Sequence, residues 1–184
     1  MIKVLLFSML ALFGIYLAAQ QLGVITPQQA EDRLLLAELN RQQGLAFLEQ
    51  SARREGVVTL PDGMLVEMLA YGEGEVPERE DWVQVHYRGW HVDGRLFESS
   101  YRLGVPGEVP LPRTILGWQR LLTEIPVGSR VWVALPPELA YGVAGSGYIG
   151  PEETVIFEIE LLAIATPQPT PPRTEDQRPV PGLQ

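Results

Sequence analysis

Side chains that carry out covalent chemistry in enzymes are scarce in this chain. It contains no cysteine, which excludes thiolate catalysis, disulfides and cysteine-based metal sites. The two histidines, His86 and His91, have no acidic or histidine partner at a metal-binding spacing, so we expect ordinary surface histidines and no metal site. The sequence also lacks a Ser/His/Asp triad, a phosphate-binding loop and a dinucleotide fingerprint. Nothing in it therefore signals nucleophilic, metal-dependent or nucleotide-dependent catalysis.

Aromatic side chains are the remaining candidates for a binding site. Tyr87 lies on the apolar face of an alternating segment, where periodicity fits core packing and pocket lining equally well. Tyr141 lies in a glycine-flanked Ala-Tyr-Gly loop and looks least like a core residue. We interpret Trp82, Trp90 and Trp132 as packing residues. Taken one at a time, the aromatic residues do not decide between a core and a pocket.

The elements that position these side chains are short strands between residues 57 and 164. Trp82–Trp90 alternates, with Val83, Val85 and Tyr87 on one face, and Asp93-Gly94 predicts a hairpin turn. Further strands are predicted at Met64–Ala70, Arg95–Ser99, Arg130–Leu135 and Thr154–Ile164, and one short helix around Trp118–Leu122. This pattern predicts an α+β domain whose helix lies across one face of an antiparallel sheet.

Upstream of the strands, the sequence predicts a leader and a helix. Residues 4–19 form an apolar run after Lys3, which is shorter than the roughly 20 apolar residues of a membrane span and resembles a secretory signal. Because no clean A-x-A cleavage site follows, residues 1–25 are interpreted as a signal peptide or, alternatively, an uncleaved membrane anchor.

A helical segment is predicted over residues 26–56. Thr26 begins it as the N-cap of a capping box, and we expect it to end near Arg54 with Gly56 as the stop signal. Three partners could cover the apolar stripe of this helix: the following domain, a second copy of the chain, or a membrane surface.

Net charge and composition indicate which partners the chain can bind and which segment lacks a fold. The formal net charge is -9 and the pI is about 4.7, which argues against nucleic acid, whose recognition needs clustered Lys and Arg. Residues 166–184 are rich in proline and poor in apolar residues, which predicts a disordered tail.

Short motifs follow one another between residues 57 and 164. They are Val85-His86-Tyr87-Arg88-Gly89 with Asp93-Gly94 and Phe97-Glu98-Ser99-Ser100, Ile115-Leu116-Gly117-Trp118, Pro126-Val127-Gly128-Ser129, Leu135-Pro136-Pro137, Leu139-Ala140-Tyr141-Gly142, Ile149-Gly150-Pro151 and Phe157-Glu158-Ile159-Glu160-Leu161-Leu162. In this order and spacing they resemble the FKBP-type peptidyl-prolyl cis/trans isomerases. The upstream Asn40, Gly44, Phe47-Leu48 and the segment Gly56–Gly63 resemble the bacterial macrophage-infectivity-potentiator branch.

The resemblance implies a fold, an activity and a location. The fold is a twisted antiparallel sheet wrapped around one short helix, here preceded by the N-terminal helix, with the isomerase domain over residues 57–165. The activity is isomerisation of X-Pro bonds in exported, proline-containing polypeptides, without a cofactor and with macrolides as inhibitors. The location is periplasmic, either soluble or tethered to the inner membrane. The branch also implies a homodimer through the N-terminal helix, although the short helical region here leaves a monomer open.

The resemblance further implies roles for individual residues. The catalytic set is Tyr87, Glu98 and Tyr141, and the substrate-binding set is Phe97, Thr114, Ile115, Trp118, Ile149 and Phe157. In this interpretation Trp118 forms the pocket floor, while the Ile115 N–H and the Tyr141 hydroxyl hold substrate carbonyls.

Two departures from the family pattern affect this site. Glu98 stands where the family usually has Asp, which predicts reduced activity through a disturbed hydrogen bond to Tyr87 or to the substrate. Gly107 begins a segment where relatives commonly carry phenylalanine, which predicts a shallower pocket. The alternative function is therefore a chaperone-like binding module with little or no turnover.

Overall fold

A computed structural model describes residues 26–102 and 104–165, so the expected leader and proline-rich tail lie outside the described residues. Helix α1 spans Pro27–Ser51 and helix α2 spans Leu116–Leu122. The strands are β1 (Val57–Thr59), β2 (Leu65–Ala70), β3 (Trp82–His91), β4 (Leu96–Ser99), β5 (Gly107–Pro110), β6 (Arg130–Leu135) and β7 (Val155–Ala165). Neither of these helices is long and apolar enough to cross a membrane.

All seven of these strands join one antiparallel sheet. The order of the strands is β1-β2-β6-β7-β3-β4. Strand β4 pairs with the C-terminal half of β3, and β5 pairs with its N-terminal half. The predicted α+β fold is confirmed, with the predicted strands in place to within a residue at most ends. Strands β1 and β5 were not predicted, because β1 has only three residues and β5 has four that begin with glycine and end with proline, so neither carries an alternating signal.

Helix α1 begins as the sequence predicts and ends earlier. The Thr26 hydroxyl accepts a hydrogen bond from the Gln29 N–H at 3.2 Å, and the Gln29 side chain accepts one from the Thr26 N–H at 2.8 Å. The helix ends at Ser51 rather than near Arg54. The chain must turn there, because Val57 already pairs with Glu67 of β2.

The strands present two apolar faces because their side chains alternate. On β6, Val131, Val133 and Leu135 pack with α2, and on the opposite face Ala134 packs with α1. The α1 face is a smaller cluster formed by Phe47, Leu48, Leu65, Trp90, Trp132, Ala134 and Ile156. The sequence left three partners possible for this helix: the following domain, a second copy or a membrane surface. The following domain covers its C-terminal half.

Candidate functional site

Four aromatic rings form a continuous cluster on the α2 face. The Tyr87 and Trp118 ring centroids lie 5.1 Å apart, Trp118 and Phe157 5.3 Å, and Phe157 and Phe97 5.6 Å. Each pair meets edge to face, with interplanar angles of 81°, 82° and 89°. This geometry is favourable for aromatic pairs, and it makes one apolar wall from residues of three strands and α2.

Glycines at two positions allow the cluster to close. A Cβ atom on Gly89 of β3 would lie 2.6 Å from the Phe97 ring and 2.8 Å from the Phe157 ring. A Cβ on Gly117 of α2 would lie 2.5 Å from Leu135. Both contacts are shorter than real Cβ atoms show, so only glycine lets the rings meet over β3 and lets α2 approach β6.

A carboxylate and two hydroxyls border the aromatic wall. The Tyr87 hydroxyl donates a hydrogen bond to Glu98 at 2.7 Å. Burial raises the pKa of Tyr87, and the hydrogen bond to Glu98 raises it further. Burial also raises the pKa of Tyr141, with a smaller contribution from the charge of Glu98. Both hydroxyls therefore stay protonated at neutral pH and can donate, and the longer Glu98 side chain does not disturb its bond to Tyr87.

Three donors at the wall have no hydrogen-bond partner among the described residues. The buried Trp118 Nε1–H has no hydrogen-bond partner in the described part of the chain. Within residues 26–102 and 104–165, the Ile115 N–H and the Tyr141 hydroxyl likewise make no hydrogen bond. Ile115 and Tyr141 are only half-buried, so these two donors are available to a bound molecule, whereas the Trp118 Nε1–H is enclosed by the protein. By contrast, the Thr114 hydroxyl donates to the Leu111 carbonyl at 2.8 Å and serves the turn before α2.

The connection between β6 and β7, residues 136–154, carries the other predicted residues. Ile149 is buried, and its backbone exchanges two hydrogen bonds with Ser146, at 2.9 and 3.0 Å. Gly147, inside this turn, takes a φ of +58° that glycine adopts without strain. Tyr141 packs against the same core as Ile149, as do Ile115 and the four aromatic rings. The predicted site residues are thus brought to one place, with Thr114 and Glu98 at its border.

Gly107 lies beside Tyr87 of the aromatic wall. A Cβ on Gly107 would lie 3.6 Å from Cε1 of Tyr87, in ordinary contact. A larger side chain there would extend the aromatic wall beside Tyr87.

Sequence reasoning missed the surroundings of one histidine. His91 is 6% exposed rather than a surface residue, and its ring lies 5.2 Å from the Phe97 ring. A buried carboxylate, Glu153, hydrogen-bonds to it. The sequence did indicate that His91 is buried, because the alternation of β3 that buries Val83 and Val85 also places His91 on the buried face.

The sequence pattern of FKBP-type peptidyl-prolyl cis-trans isomerases matches residues 73–162. The chain is 44% identical over 123 residues to the FKBP-type 22 kDa peptidyl-prolyl cis-trans isomerase of Escherichia coli, covering 66% of this chain and 60% of that one. It is 38% identical over 129 residues to the outer membrane protein MIP of Legionella longbeachae, covering 70% of this chain and 55% of that one.

A solved structure extends the likeness to the fold. The peptidyl-prolyl cis-trans isomerase from Pseudomonas syringae is 32% identical, with a TM-score of 0.65, and the match covers 71% of this chain and 96% of that one. The chain belongs to the FKBP-type peptidyl-prolyl cis-trans isomerase family, in the branch of the macrophage-infectivity-potentiator proteins. It spans 60% or less of the length of the two curated relatives named above.

Proposed function

We propose that this protein is a peptidyl-prolyl cis/trans isomerase that acts on proline-containing polypeptide segments. The observation that carries the proposal is the wall of four edge-to-face rings beside the Ile115 N–H and the Tyr141 hydroxyl, which make no hydrogen bond within the described residues. The reaction needs no nucleophile or cofactor, only stabilisation of a twisted amide. Amide resonance sets its uncatalysed barrier at about 18–20 kcal/mol.

Catalysis in this proposal comes from binding the twisted amide better than the planar one. The aromatic wall takes the proline ring out of water, where a twisted amide with less charge separation loses less solvation than a planar one. The Ile115 N–H and the Tyr141 hydroxyl are pre-positioned donors for the carbonyls on either side of the rotating bond. Glu98 orients the Tyr87 hydroxyl through their 2.7 Å bond. No proton is transferred in this mechanism.

Protease-coupled turnover of X-Pro tetrapeptides by the full chain tests the proposal. We expect the cis-to-trans rate to rise in proportion to protein concentration, and an FKBP-directed macrolide to abolish the increase. The macrolide arm follows because such a ligand would occupy the same apolar wall. A folded protein that binds the peptides but leaves their isomerisation rate unchanged would refute the enzyme and favour the binding module.

We also propose that α1 supports a homodimer. Its exposed leucines, Leu34, Leu35, Leu36, Leu39 and Leu45, lie on the helix outside the cluster that packs on the sheet. These exposed leucines leave apolar surface on α1 that a second copy of the chain would remove from water. Analytical ultracentrifugation of the full chain should give twice the monomer mass, and a single species at the monomer mass would exclude the dimer.

A location in the bacterial envelope is proposed from the apolar N-terminal segment. Residues 4–19 supply the export signal, and a relative at 38% identity bears the name outer membrane protein. N-terminal sequencing of the mature protein separates a cleaved, soluble periplasmic form from one tethered to the inner membrane. Recovery of the whole protein from the cytoplasm would overturn the proposal.

A further inference from the structure

A histidine and a carboxylate are buried together where the β3–β4 hairpin meets the β6–β7 connection. His91 is 6% exposed and Glu153 is 9% exposed. His91 Nδ1 and Glu153 Oε1 share a hydrogen bond, and Glu153 Oε2 accepts a second one from the Gly150 N–H at 2.6 Å. Burying such a pair costs desolvation free energy, so it is weak evidence for stability. Its best-attested use is to specify one conformation.

The pair links two sides of the proposed pocket. On one side the His91 ring meets the Phe97 ring nearly edge-on, at 5.2 Å and 67°. Phe97 in turn meets Phe157 within the aromatic wall. On the other side Glu153 holds the backbone N–H of Gly150, the residue directly after the buried Ile149. Movement of the pair would therefore displace both sides of the pocket.

Helix α1 secures the pair from the outside. The Asn40 side-chain amide donates to the Pro151 carbonyl at 2.8 Å, and a Cβ on Gly150 would lie 2.6 Å from that amide nitrogen. One turn further on, a Cβ on Gly44 would lie 2.3 Å from the Thr154 hydroxyl oxygen. The helix thus lies directly on the segment that carries Glu153, and only glycines permit this approach.

We propose that His91 and Glu153 are positioning residues that hold Phe97 and Ile149 at the isomerase pocket, and that Asn40 of α1 locks them in place. This inference rests on the proposed isomerase function. Because the two sides grip the proline ring before and during rotation, loosening them removes binding common to both states. The expected signature is a raised KM with little change in kcat.

Turnover by Glu153→Ala in the full chain tests the proposal. We expect KM to rise about tenfold with kcat within about twofold, the pattern of lost uniform binding. Glu153→Gln should restore most of the loss, because its amide can accept from the Gly150 N–H and donate to an unprotonated His91 Nδ1. The matched control is Glu138→Ala, an exposed carboxylate on the same connection, which should leave KM unchanged.

Two further variants separate the contacts of His91. His91→Asn keeps a donor to Glu153 but loses the ring against Phe97, whereas His91→Phe keeps a ring but loses the donor. Each should raise KM by about threefold, less than Glu153→Ala does. Asn40→Ala should do the same from the helix, with the exposed Gln42→Ala as its control.

All variants are assayed at a temperature and in a buffer in which denaturant titration shows that they are fully folded. Unchanged KM in folded Glu153→Ala, with only a lower denaturation midpoint, would mean that the pair merely stabilises the fold and would overturn the proposal. Wild-type protein without turnover would instead refute the isomerase function. In that case the NMR shifts of the Ile149 methyls and the Phe97 ring still decide the positioning role: both must move in Glu153→Ala and not in Glu138→Ala.

Discussion

The two faces of the sheet are packed on different principles. On the α2 face, aromatic rings meet beside the Ile115 N–H and the Tyr141 hydroxyl, which make no hydrogen bond within the described residues. On the α1 face, polar side chains make contacts with the sheet domain: the Asn40 amide of the helix donates to the Pro151 carbonyl, and the guanidinium of Arg54, just after the helix, lies 4.5 Å from the Trp132 ring while it pairs with Glu67. Accessible donors without partners are free to bind a ligand, whereas donors that already have partners hold an element in place.

Removing one phenylalanine from each face should have the largest effect. Phe157→Ala removes a ring that is 1% exposed and should lower the free energy of unfolding by about 3–5 kcal/mol. Phe47→Ala removes a half-buried ring on the α1 face and should cost about 1–2 kcal/mol. Urea denaturation measures both. Equal costs would contradict the view that the α2 face carries the main core.

Removing one hydroxyl should separate activity from stability on the α2 face. Tyr141→Phe should reduce kcat/KM about tenfold, because the proposed donor to a substrate carbonyl is lost. The free energy of unfolding should stay within about 0.5 kcal/mol, since the hydroxyl makes no bond within the described residues. Tyr101→Phe is the control: its hydroxyl bonds Glu160 away from the wall, and turnover should not change. Full activity in Tyr141→Phe would remove it from the catalytic set.

Two neighbouring arginines test how much polar contacts on the α1 face contribute. Arg54→Ala should lower the free energy of unfolding by about 1 kcal/mol, through the lost cation–π contact with Trp132. Arg53→Ala breaks only an exposed pair with Glu49 and should cost less than about 0.5 kcal/mol. Thermal or urea unfolding compares them. A larger cost for Arg53 would show that exposure does not rank these contacts.

The smallest effect is expected from shortening the carboxylate beside Tyr87. Glu98→Asp should raise kcat/KM about threefold, because we expect the shorter side chain, which is the usual family residue, to place the carboxylate better toward a bound substrate. Glu108→Asp, exposed on β5, is the matched control and should be neutral. A lower or unchanged kcat/KM in Glu98→Asp would show that the 2.7 Å bond to Tyr87 already places the carboxylate well.

Much of the fold could be predicted because it depends on local pattern. Alternation located β3, β6 and β7, and the Thr26 capping box located the start of α1. The short strands β1 and β5 could not be found, since they form only by pairing with β2 and β3. Local pattern also could not show where α1 ends. The chain turns after Ser51 because β1 must pair with β2, which is a contact between distant residues.

The site divides in the same way. The sequence by itself determined the family, the strands and the residue types of an aromatic pocket, since motif order and period-two alternation are written along the chain. Only the tertiary structure decided that His91 and Glu153 are buried together and that Asn40 meets Pro151, which is 111 residues away. Such contacts depend on how distant elements dock, and docking is a sum of many packing terms that no local period encodes.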